Sequence, residues 1–593
     1  PLPSQSFHVS VTVPETPTLQ FVSGIAPDAS FVVYTAWKPL EADSLKPGGV
    51  LVVRRLDRDE TNVIDSTEGA IEAALSPDGR WLAFVAARDR ALTKATLKKI
   101  ALNDGQPVGS PETLCELPSG GYYAMCWSSD REIVLTSGWQ KTLLAVPAAG
   151  GEPRVVLREE LGTEIDNWGE LRPLVPGKSI VATRWSLVGQ TIKECAEVID
   201  LASGERTQLL ANAGGAQLVG DDLIVARRNL GSFIAARFDP DTAQVIGEPV
   251  TVLTGGLRSS FYISRCGTLA RPSATDDVSS RKLVWLDEQG QPQPIASPPR
   301  PYGSTAFSPD SGRLLIMMDA VNDAELTTEM WVYDLSRRTF TRIATPEPVL
   351  DVGCWSPDAL RISYGTITND AASVWLHRSD GSGVATKIYA DNRGQTLLIP
   401  MTWSPDGKCL AVVQVDLAKN TVDMILLEEE AGSALWVAKP YLNSPANEDS
   451  LRFSPDGKWI SFVSDESGRG ELYVQRFTGA GNGAEDAKSG RTQVSTNGLS
   501  GTGWWSADGK ELRYFDTDMQ LMRADVQTEP TFAASVPEAM FSVKEYAHRS
   551  ANAAPDGRLM LILKGENDRA TRIDLVVNFM DEVRTKMSAA NQQ

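Results

Sequence analysis

Residues 454–474 read Ser-Pro-Asp-Gly-Lys-Trp-Ile-Ser-Phe-Val-Ser-Asp-Glu-Ser-Gly-Arg-Gly-Glu-Leu-Tyr-Val. The first four residues favour a tight turn, because Pro presets φ, Asp hydrogen-bonds to its own backbone and Gly accepts a strained conformation. Residues 459–463 then alternate in the manner of a half-buried strand, and residues 471–474 begin another. The stretch therefore predicts a turn followed by two strands.

The same turn recurs along nearly the whole chain. Its Asp, or the residue that replaces it in copies that depart from the pattern, lies at positions 28, 78, 130, 177, 221, 266, 310, 358, 406, 456, 508 and 556. Successive positions are 44 to 52 residues apart. Such regular self-similarity indicates a repeat architecture of twelve units.

Each unit has room for four short strands, which is the content of one blade of a β-propeller. A helical solenoid would need segments of ten or more residues with a 3.6-residue period, and the units contain none. Twelve blades exceed the four to eight that form one ring. The sequence therefore predicts an all-β chain of two tandem β-propellers, most simply with six four-stranded blades each. A division into seven and five would leave one ring unusually small.

The Pro-rich segment at 296–302 suggests the seam between the two rings. We therefore expect a first propeller over residues 1–297, a second over 298–579 and a short exposed helix in the tail, 580–593. Residues 7–13 alternate like a strand. We expect this strand to complete a blade whose other strands come from the far end of the chain, and the sequence leaves open which ring it closes.

Two residue types mark the repeat. A Trp directly before the turn is expected to pack between neighbouring blades, and an Asp within the turn is expected to hydrogen-bond to its backbone. The signature residues of these two kinds are Trp127, Trp355, Trp403, Trp505, Asp78, Asp310, Asp406 and Asp456.

Residues 454–474 resemble the TolB-type, WD40-like propeller repeat of bacterial envelope proteins. Residues 143–153, 282–290 and 493–498 narrow the resemblance to bacterial transmembrane serine/threonine kinases, which carry such propellers C-terminal to their kinase and membrane segments. The resemblance extends from about Phe7 to Phe579. It implies an extracytoplasmic location, in the periplasm or at the outer face of the inner membrane.

Motifs for catalysis are missing from the sequence. No Gly-rich phosphate loop has a paired Lys, and no His-Arg-Asp or Asp-Phe-Gly triplet occurs. The three histidines are His8, His377 and His548, and the sequence has no Gly-x-Ser-x-Gly motif that would place a nucleophilic Ser beside one of them. It also has no His-Glu-x-x-His motif and no Cys/His cluster for a metal ion. We therefore predict that the chain is not an enzyme and has no catalytic residue, metal site or cofactor.

The charge balance limits the partners. Lys and Arg number 57 against 76 Asp and Glu, which gives a net charge of −19. This acidity argues against nucleic acid and against anionic lipid, both of which need clustered basic residues. No apolar run approaches the 18 to 20 residues of a membrane helix, so no direct membrane insertion is expected. Because the chain starts at Pro1, we expect an upstream signal peptide or an N-terminal module that tethers it.

The six cysteines include no Cys-x-x-Cys pair, and most are expected to be structural thiols. The sequence leaves open a disulfide between Cys115 and Cys126 in an oxidising compartment.

A second series of tryptophans suggests a binding face. Trp37, Trp139 and Trp185 each lie eight or nine residues after a repeat position, at the expected end of a second strand. They could form an aromatic patch on the face opposite the turns, and such a patch could anchor a partner or a ligand. The alternative is that each Trp covers its own loop.

These observations favour a non-catalytic binding or sensory module of the bacterial cell envelope, which resembles the sensor region of a serine/threonine kinase. We expect it to bind protein partners or a small ligand. The alternative is a TolB-like periplasmic scaffold subunit of a larger envelope complex, and a third hypothesis is a hydrolase that uses the central channel. A stable stoichiometric partner favours the scaffold, whereas ligand-dependent melting without a partner favours the sensor.

Overall fold

The architecture follows from a computed structural model, in which the strands account for nearly all regular structure. It describes residues 6–14, 18–37, 49–87, 95–118, 124–137, 142–158, 166–188, 191–228, 232–254, 260–272, 281–321, 326–368, 371–393, 396–416, 421–430, 436–477, 479, 490–543, 546, 548–563 and 572–590. The predicted all-β propeller fold is confirmed.

The N-terminal part of the chain contributes most strands of the first ring. In chain order they are β1 (Phe7–Thr12), β2 (Thr18–Ile25), β3 (Phe31–Trp37), β4 (Gly49–Arg55), β5 (Thr61–Val63), β6 (Ala70–Leu75), β7 (Trp81–Ala87), β8 (Ala95–Asn103), β9 (Gln106–Leu117), β10 (Met125–Ser129), β11 (Glu132–Ser137), β12 (Thr142–Pro147), β13 (Arg154–Arg158), β14 (Asp166–Val175), β15 (Ser179–Val188), β16 (Thr191–Asp200), β17 (Arg206–Ala211), β18 (Gly214–Val219), β19 (Leu223–Arg228), β20 (Ser232–Asp239), β21 (Gln244–Thr254), β22 (Tyr262–Ile263) and β23 (Leu269–Pro272).

The second ring follows as one continuous segment. Its strands are β24 (Lys282–Leu286), β25 (Pro292–Pro294), β26 (Tyr302–Phe307), β27 (Arg313–Val321), β28 (Leu326–Asp334), β29 (Thr339–Ile343), β30 (Cys354–Trp355), β31 (Arg361–Ile367), β32 (Ala372–Arg378), β33 (Thr386–Asp391), β34 (Thr396–Trp403), β35 (Cys409–Asp416), β36 (Thr421–Glu429), β37 (Trp436–Leu442), β38 (Glu448–Phe453), β39 (Trp459–Ser464), β40 (Glu471–Arg476), β41 (Thr492–Gln493), β42 (Leu499–Trp505), β43 (Glu511–Asp516), β44 (Gln520–Gln527), β45 (Ala533–Ala534), β46 (Glu538–Ser542), β47 (His548–Ala553) and β48 (Leu559–Leu563). The chain ends with β49 (Arg572–Val577) and helix α1 (Phe579–Ala590).

Consecutive strands pair antiparallel into sheets. In the described part of the first ring these sheets are β2–β5, β6–β9, β10–β13, β14–β17 and β18–β21, and a sixth has the order β1-β49-β23-β22. In the second ring they are β26–β29, β30–β33, β34–β37, β38–β41 and β42–β46, and a sixth has the order β25-β24-β48-β47. Apolar residues of each sheet pack on the next, and the sixth sheet packs on the first, so both sets close into rings.

The closing sheets correct the predicted boundary at 297/298. Strand β24 precedes that boundary but pairs with β48, and β49 follows the second ring but pairs with β23 and β1. The second ring therefore uses residues 282–563, whereas the first ring needs both ends of the chain. Pairing strands that are remote in sequence closes a ring, and the repeat spacing alone does not show where this happens. Strand β1 closes the first ring, which the sequence left open.

Helix α1 occupies the predicted tail but is not simply exposed. Phe579 and Val583 are fully buried, and they pack with residues of β19 to β21 in the first ring. The Lys586 ammonium group donates a hydrogen bond of 2.6 Å to the carbonyl of Val252. The helix therefore fixes the returning chain on the first ring. Within the described part of the chain, no helix has the length and apolar character needed to cross a bilayer.

The repeated turns have the predicted hydrogen bonds. In the turn at residues 454–457, the Ser454 hydroxyl donates to the Asp456 carboxylate at 2.6 Å, and the backbone N–H of Lys458 donates to the same oxygen at 3.1 Å. Gly457 has a φ of +70°, which an L side chain rarely adopts. Asp78, Asp310 and Asp406 accept the equivalent Ser hydroxyl in their own turns.

The signature tryptophans lie between neighbouring sheets. The Trp127 indole donates to the carbonyl of Ala74, and the Trp355 indole donates to the carbonyl of Ala306, each on the inner strand of the preceding sheet. Trp403 donates to the Ser363 hydroxyl at 3.0 Å. Trp505 occupies the same slot, but its buried indole nitrogen has no hydrogen-bond partner among the described residues.

The Asp carboxylates of the repeated turns are expected to make the free energy of unfolding sensitive to acid. Hydrogen bonds from Ser308, Ser356 and Ser404 lower the pKa of Asp310, Asp358 and Asp406, respectively. The unfolded chain therefore binds more protons as the pH falls, and the free energy of unfolding decreases. This stabilisation is complete above the unfolded pKa of about 3.9 and is lost as the pH falls through the lower folded values. Urea unfolding at several pH values between about 5 and 2 measures the loss.

Asp406→Asn provides the control for this acid dependence. Its amide oxygen still accepts from the Ser404 hydroxyl but does not titrate, so we expect a shallower decrease in stability with falling pH. Identical slopes for the variant and the wild type would contradict the assignment.

Candidate ligand-binding channel

Six equivalent repeat positions meet at the centre of the second ring. Each position lies two residues before the Ser of the turn or the residue that replaces it, on the innermost strand of its sheet. The six residues are Ala306, Cys354, Thr402, Arg452, Trp504 and Asn552. All six line a cavity of about 850 Å³ that runs through the middle of the ring. This size lies within the range of about 300–1,000 Å³ that is usual for small-molecule sites.

The wall of the channel combines polar and apolar surface in similar amounts. Phe307, Met401 and Trp504 contribute apolar surface. Asn552 donates a hydrogen bond of 2.8 Å to the Thr305 hydroxyl, which links two neighbouring sheets at the channel wall. A mixed wall of this kind can bury the apolar part of a ligand and orient the ligand through polar contacts.

Arg452 places a positive charge in this channel. Its Nη1 atom donates to the carbonyls of Met401 at 3.2 Å and Leu451 at 3.0 Å. No carboxylate among the described residues lies within ion-pair distance of the guanidinium. Burial therefore lowers the pKa of Arg452, although the group stays protonated at neutral pH. The charge is held by two backbone carbonyls, and the exposed carboxylate of Asp449 adds a longer-range attraction.

Asp351 is the other charged residue among those that line the channel. It is exposed, and its carboxylate accepts a hydrogen bond of 2.6 Å from the backbone N–H of Val352.

Cys354 is the one thiol on the described channel wall. Its sulfur lies 3.1 Å from the Ser363 hydroxyl oxygen, and burial raises the pKa of the thiol to about 11. A thiol with this pKa is almost entirely protonated at neutral pH, and the thiolate is the nucleophilic form. Cys354 is therefore suited to packing rather than to attack on a substrate.

The centre of the first ring also holds an arginine, but one that acidic groups surround. Arg172 donates to the carbonyls of Leu171 and Phe261 and lies over the ring of Tyr262 at 4.0 Å. Burial raises the pKa of Glu72 to about 8, and the charge of Arg172 opposes this rise.

Glu170 is the second acidic group beside Arg172. Burial opposes the ionisation of Glu170, but Arg227 and Arg172 lower its pKa overall. Arg227 also binds Glu170 directly, at 3.0 Å. The surroundings of Arg172 thus contain acidic side chains, of which Glu170 carries a negative charge that it shares with Arg227.

The three tryptophans of the predicted binding face are not brought together by any described contact. Trp37 ends β3 as predicted and is 40% exposed. Trp185 lies within β15, three residues before its end, and its indole donates to Glu194 on the adjacent strand at 2.9 Å. Its ring also covers Gly169 in the same sheet. Trp139 lies outside the described residues. The aromatic face stays a prediction.

The histidine and cysteine side chains considered in the sequence have surroundings that are typical of structural residues. His377 is buried on β32, and its Nδ1 lies 2.8 Å from the carbonyl of Arg378. Among the described residues, no group of three or more His, Cys, Asp or Glu side chains could hold a metal ion. Cys115 and Cys126, for which the sequence left a disulfide open, are both free thiols.

The sequence reasoning missed the channel and Arg452, although one signal was present. Five of the six channel positions carry uncharged residues, and Arg452 is the exception. The repeat alignment alone does not show that this position faces the channel. Successive side chains of a strand point in opposite directions, and the alignment does not show which of the two sets points to the channel.

Comparison with known proteins shows similarity of fold. No protein-family model matches the chain. An Agrobacterium tumefaciens protein assigned as TolB is 15% identical over 48% of this chain and 97% of its own, with a TM-score of 0.34. TolB from Acinetobacter baumannii is 15% identical over 61% of this chain and 78% of its own, with a TM-score of 0.28. The tricorn protease is 12% identical over 88% of this chain and 63% of its own, with a TM-score of 0.29. Structures similar to this chain thus include TolB proteins.

Proposed function

We propose that this protein is a non-catalytic binding module of the bacterial cell envelope that takes a small ligand in the channel of the second ring. The observation that carries the proposal is the cavity of about 850 Å³, to which all six sheets of the ring contribute. A sensory role of the kind found in serine/threonine kinase receptors fits such a site. Ligand binding between six sheets would change their packing and thereby report occupancy.

The chemistry of the wall supports binding rather than turnover. General acid–base catalysis needs a group that titrates near neutral pH beside the reacting atoms. Among the described wall residues, the Cys354 thiol has a raised pKa and Arg452 remains charged, so neither is suited to exchange protons at pH 7. The third titratable side chain of the wall, Asp351, is exposed, and its carboxylate accepts a backbone hydrogen bond.

Thermal unfolding tests the proposal with a variant that fills the channel. Ser500 lines the channel and is exposed to it, so Ser500→Trp should occupy the cavity without disturbing the core. We expect compounds from a library of small metabolites to raise the Tm of the wild type and not that of Ser500→Trp, because binding to the folded state stabilises it. A ligand present at 100 times its Kd adds about 2.7 kcal/mol.

Ala539→Trp is the matched control, since Ala539 is exposed on the outer strand β46. It should respond to the same compounds as the wild type. If the stabilising compounds act equally on Ser500→Trp, the channel is not the binding site and the proposal fails.

The coding sequence upstream of Pro1 tests the sensory part of the proposal separately. A kinase domain followed by one apolar span supports a receptor, whereas a signal peptide alone supports a free envelope protein. In the second case, isolation of a stable stoichiometric partner would favour the scaffold role.

A further inference from the structure

We propose that Arg452 makes the second-ring channel a site for a small organic monocarboxylate, whose anionic group pairs with the guanidinium and whose apolar body fills the cavity. This inference rests on the proposed function and names the ligand class for the same channel. It follows from the hydrogen bonds of Arg452, from a comparison of the two rings and from the remaining charges on the channel wall.

The hydrogen bonds of Arg452 leave one edge of its guanidinium open. Both of its described bonds come from Nη1, to the carbonyls of Met401 and Leu451. The Nε and Nη2 atoms have no hydrogen-bond partner among the described residues. Nε–H and Nη2–H point in the same direction and match the two oxygens of a carboxylate. The protein therefore anchors one corner of the guanidinium and leaves the bidentate edge without a partner.

The arginine at the centre of the first ring has more acidic surroundings than Arg452. Arg172 and Arg452 each donate to the carbonyl of the preceding residue, whereas the second bond of Arg452 reaches the adjacent strand β34 and that of Arg172 reaches Phe261, just before β22 of the closing sheet. Arg172 also has Glu72 and Glu170 within electrostatic reach. The carboxylate within electrostatic reach of Arg452 is that of Asp449, which is exposed and forms no described ion pair with the guanidinium. A bound carboxylate would supply the missing charge.

Two acidic side chains, one within electrostatic reach of Arg452 and one on the channel wall, form no ion pair with it among the described contacts. Asp449 is exposed, and its carboxylate accepts from the backbone N–H of Ser450. Asp351 lies on the channel wall and accepts from the backbone N–H of Val352. Their negative charges disfavour a ligand with several anionic groups, because like charges in one cavity repel. One positive site near two negative ones selects a monoanion.

The remaining wall defines the other part of the ligand. Phe307, Met401 and Trp504 form apolar surface in a cavity of about 850 Å³. Burial of apolar area contributes about 25 cal/mol per Å². An aromatic or aliphatic body therefore gains affinity there, whereas a free inorganic anion would use only the guanidinium. The structure favours an organic acid over phosphate or sulfate.

Paired acids and amides test this inference. Phenylacetate and 4-phenylbutyrate are compared with phenylacetamide and 4-phenylbutyramide, which keep the shape and lack the charge. Inorganic phosphate is a third probe. Titration by Tm shift and by calorimetry should show that the acids bind more tightly than the amides and than phosphate. Arg452→Met should weaken acid binding by about 10- to 100-fold, since bonds to a charged group are lost.

Three further variants control for structural damage. Arg452→Lys keeps the charge but not the bidentate edge, so it should bind the acids with intermediate affinity. Arg476→Met removes an exposed arginine at the end of β40 and should bind like the wild type. Ser500→Trp should lose the acids as it loses other channel ligands.

Each contrary result has a distinct meaning. Equal binding of acids and amides, or equal acid binding by Arg452→Met and the wild type, overturns the carboxylate site and leaves the channel as a binding site. Failure of all four organic probes overturns the proposed ligand class, whereas the metabolite screen still decides the proposed function. Preference for phosphate over both acids would show that the apolar wall is not used.

Discussion

Deletion of residues 564–593 is expected to unfold the first ring and to leave the second ring folded. The deletion removes β49, the strand that joins β1 to β23, and also helix α1. Ile573, Phe579 and Val583 are fully buried, and each such side chain contributes about 2–5 kcal/mol. A whole domain is stable by only about 5–15 kcal/mol, so the loss exceeds what the first ring can tolerate.

Hydrogen exchange measured by mass spectrometry locates this effect. Residues 7–272 should lose protection, whereas residues 282–563 should keep it, because the second ring contains all of its own strands. A chain that ends at Ala590 is the control and should be protected throughout. Retained protection in the first ring after the larger deletion would show that β49 does not close it.

Trp403→Ala is expected to lower the free energy of unfolding by about 3–5 kcal/mol. Trp403 is 5% exposed and packs against apolar residues of β32 in the preceding sheet and of β35 in its own. Its ring also meets Trp436 edge to face, with the centroids 5.6 Å apart. Truncation leaves a cavity between two sheets that rigid strands cannot close. Urea denaturation measures the loss, and a value below about 1 kcal/mol would contradict inter-sheet packing.

The corresponding change to Phe separates packing from hydrogen bonding. Trp403→Phe loses the bond to Ser363, which is worth about 1 kcal/mol. Trp505→Phe loses no such bond, because the Trp505 indole nitrogen has no partner within the described part of the chain. We therefore expect Trp505→Phe to cost less than Trp403→Phe. The reverse order would show that the indole bond does not contribute.

The repeat made most of the fold predictable from sequence. A Ser-Pro-Asp-Gly turn has few conformations, and Asp456 makes the side-chain bonds expected of it. The alternating residues 459–463 then fall on β39. Local rules of this kind hold because each turn and hairpin is formed by neighbouring residues. The closing sheets were not predictable in the same way, since β24 and β48 are far apart in sequence and no local pattern encodes their pairing.

The candidate site depends on long-range geometry even more strongly. Arg452 became a candidate only when six inner strands were arranged around one axis. Sequence reasoning selected tryptophans because aromatic residues are frequent at interfaces. It could not show that Trp185 already covers Gly169 in its own sheet. The side chains that reach the centre of a ring are thus determined by long-range packing, and the residue type alone does not identify them.

The insertion of one ring between two strands of the other has a consequence for biosynthesis. Strand β49 leaves the ribosome after the whole of the second ring, yet the first ring cannot close without it. Until β49 has been synthesised, sheets of the first ring therefore keep unpaired edges, which are prone to association with other chains. The first ring is thus started before the second and completed after it, and an arrest within the second ring leaves both unfinished.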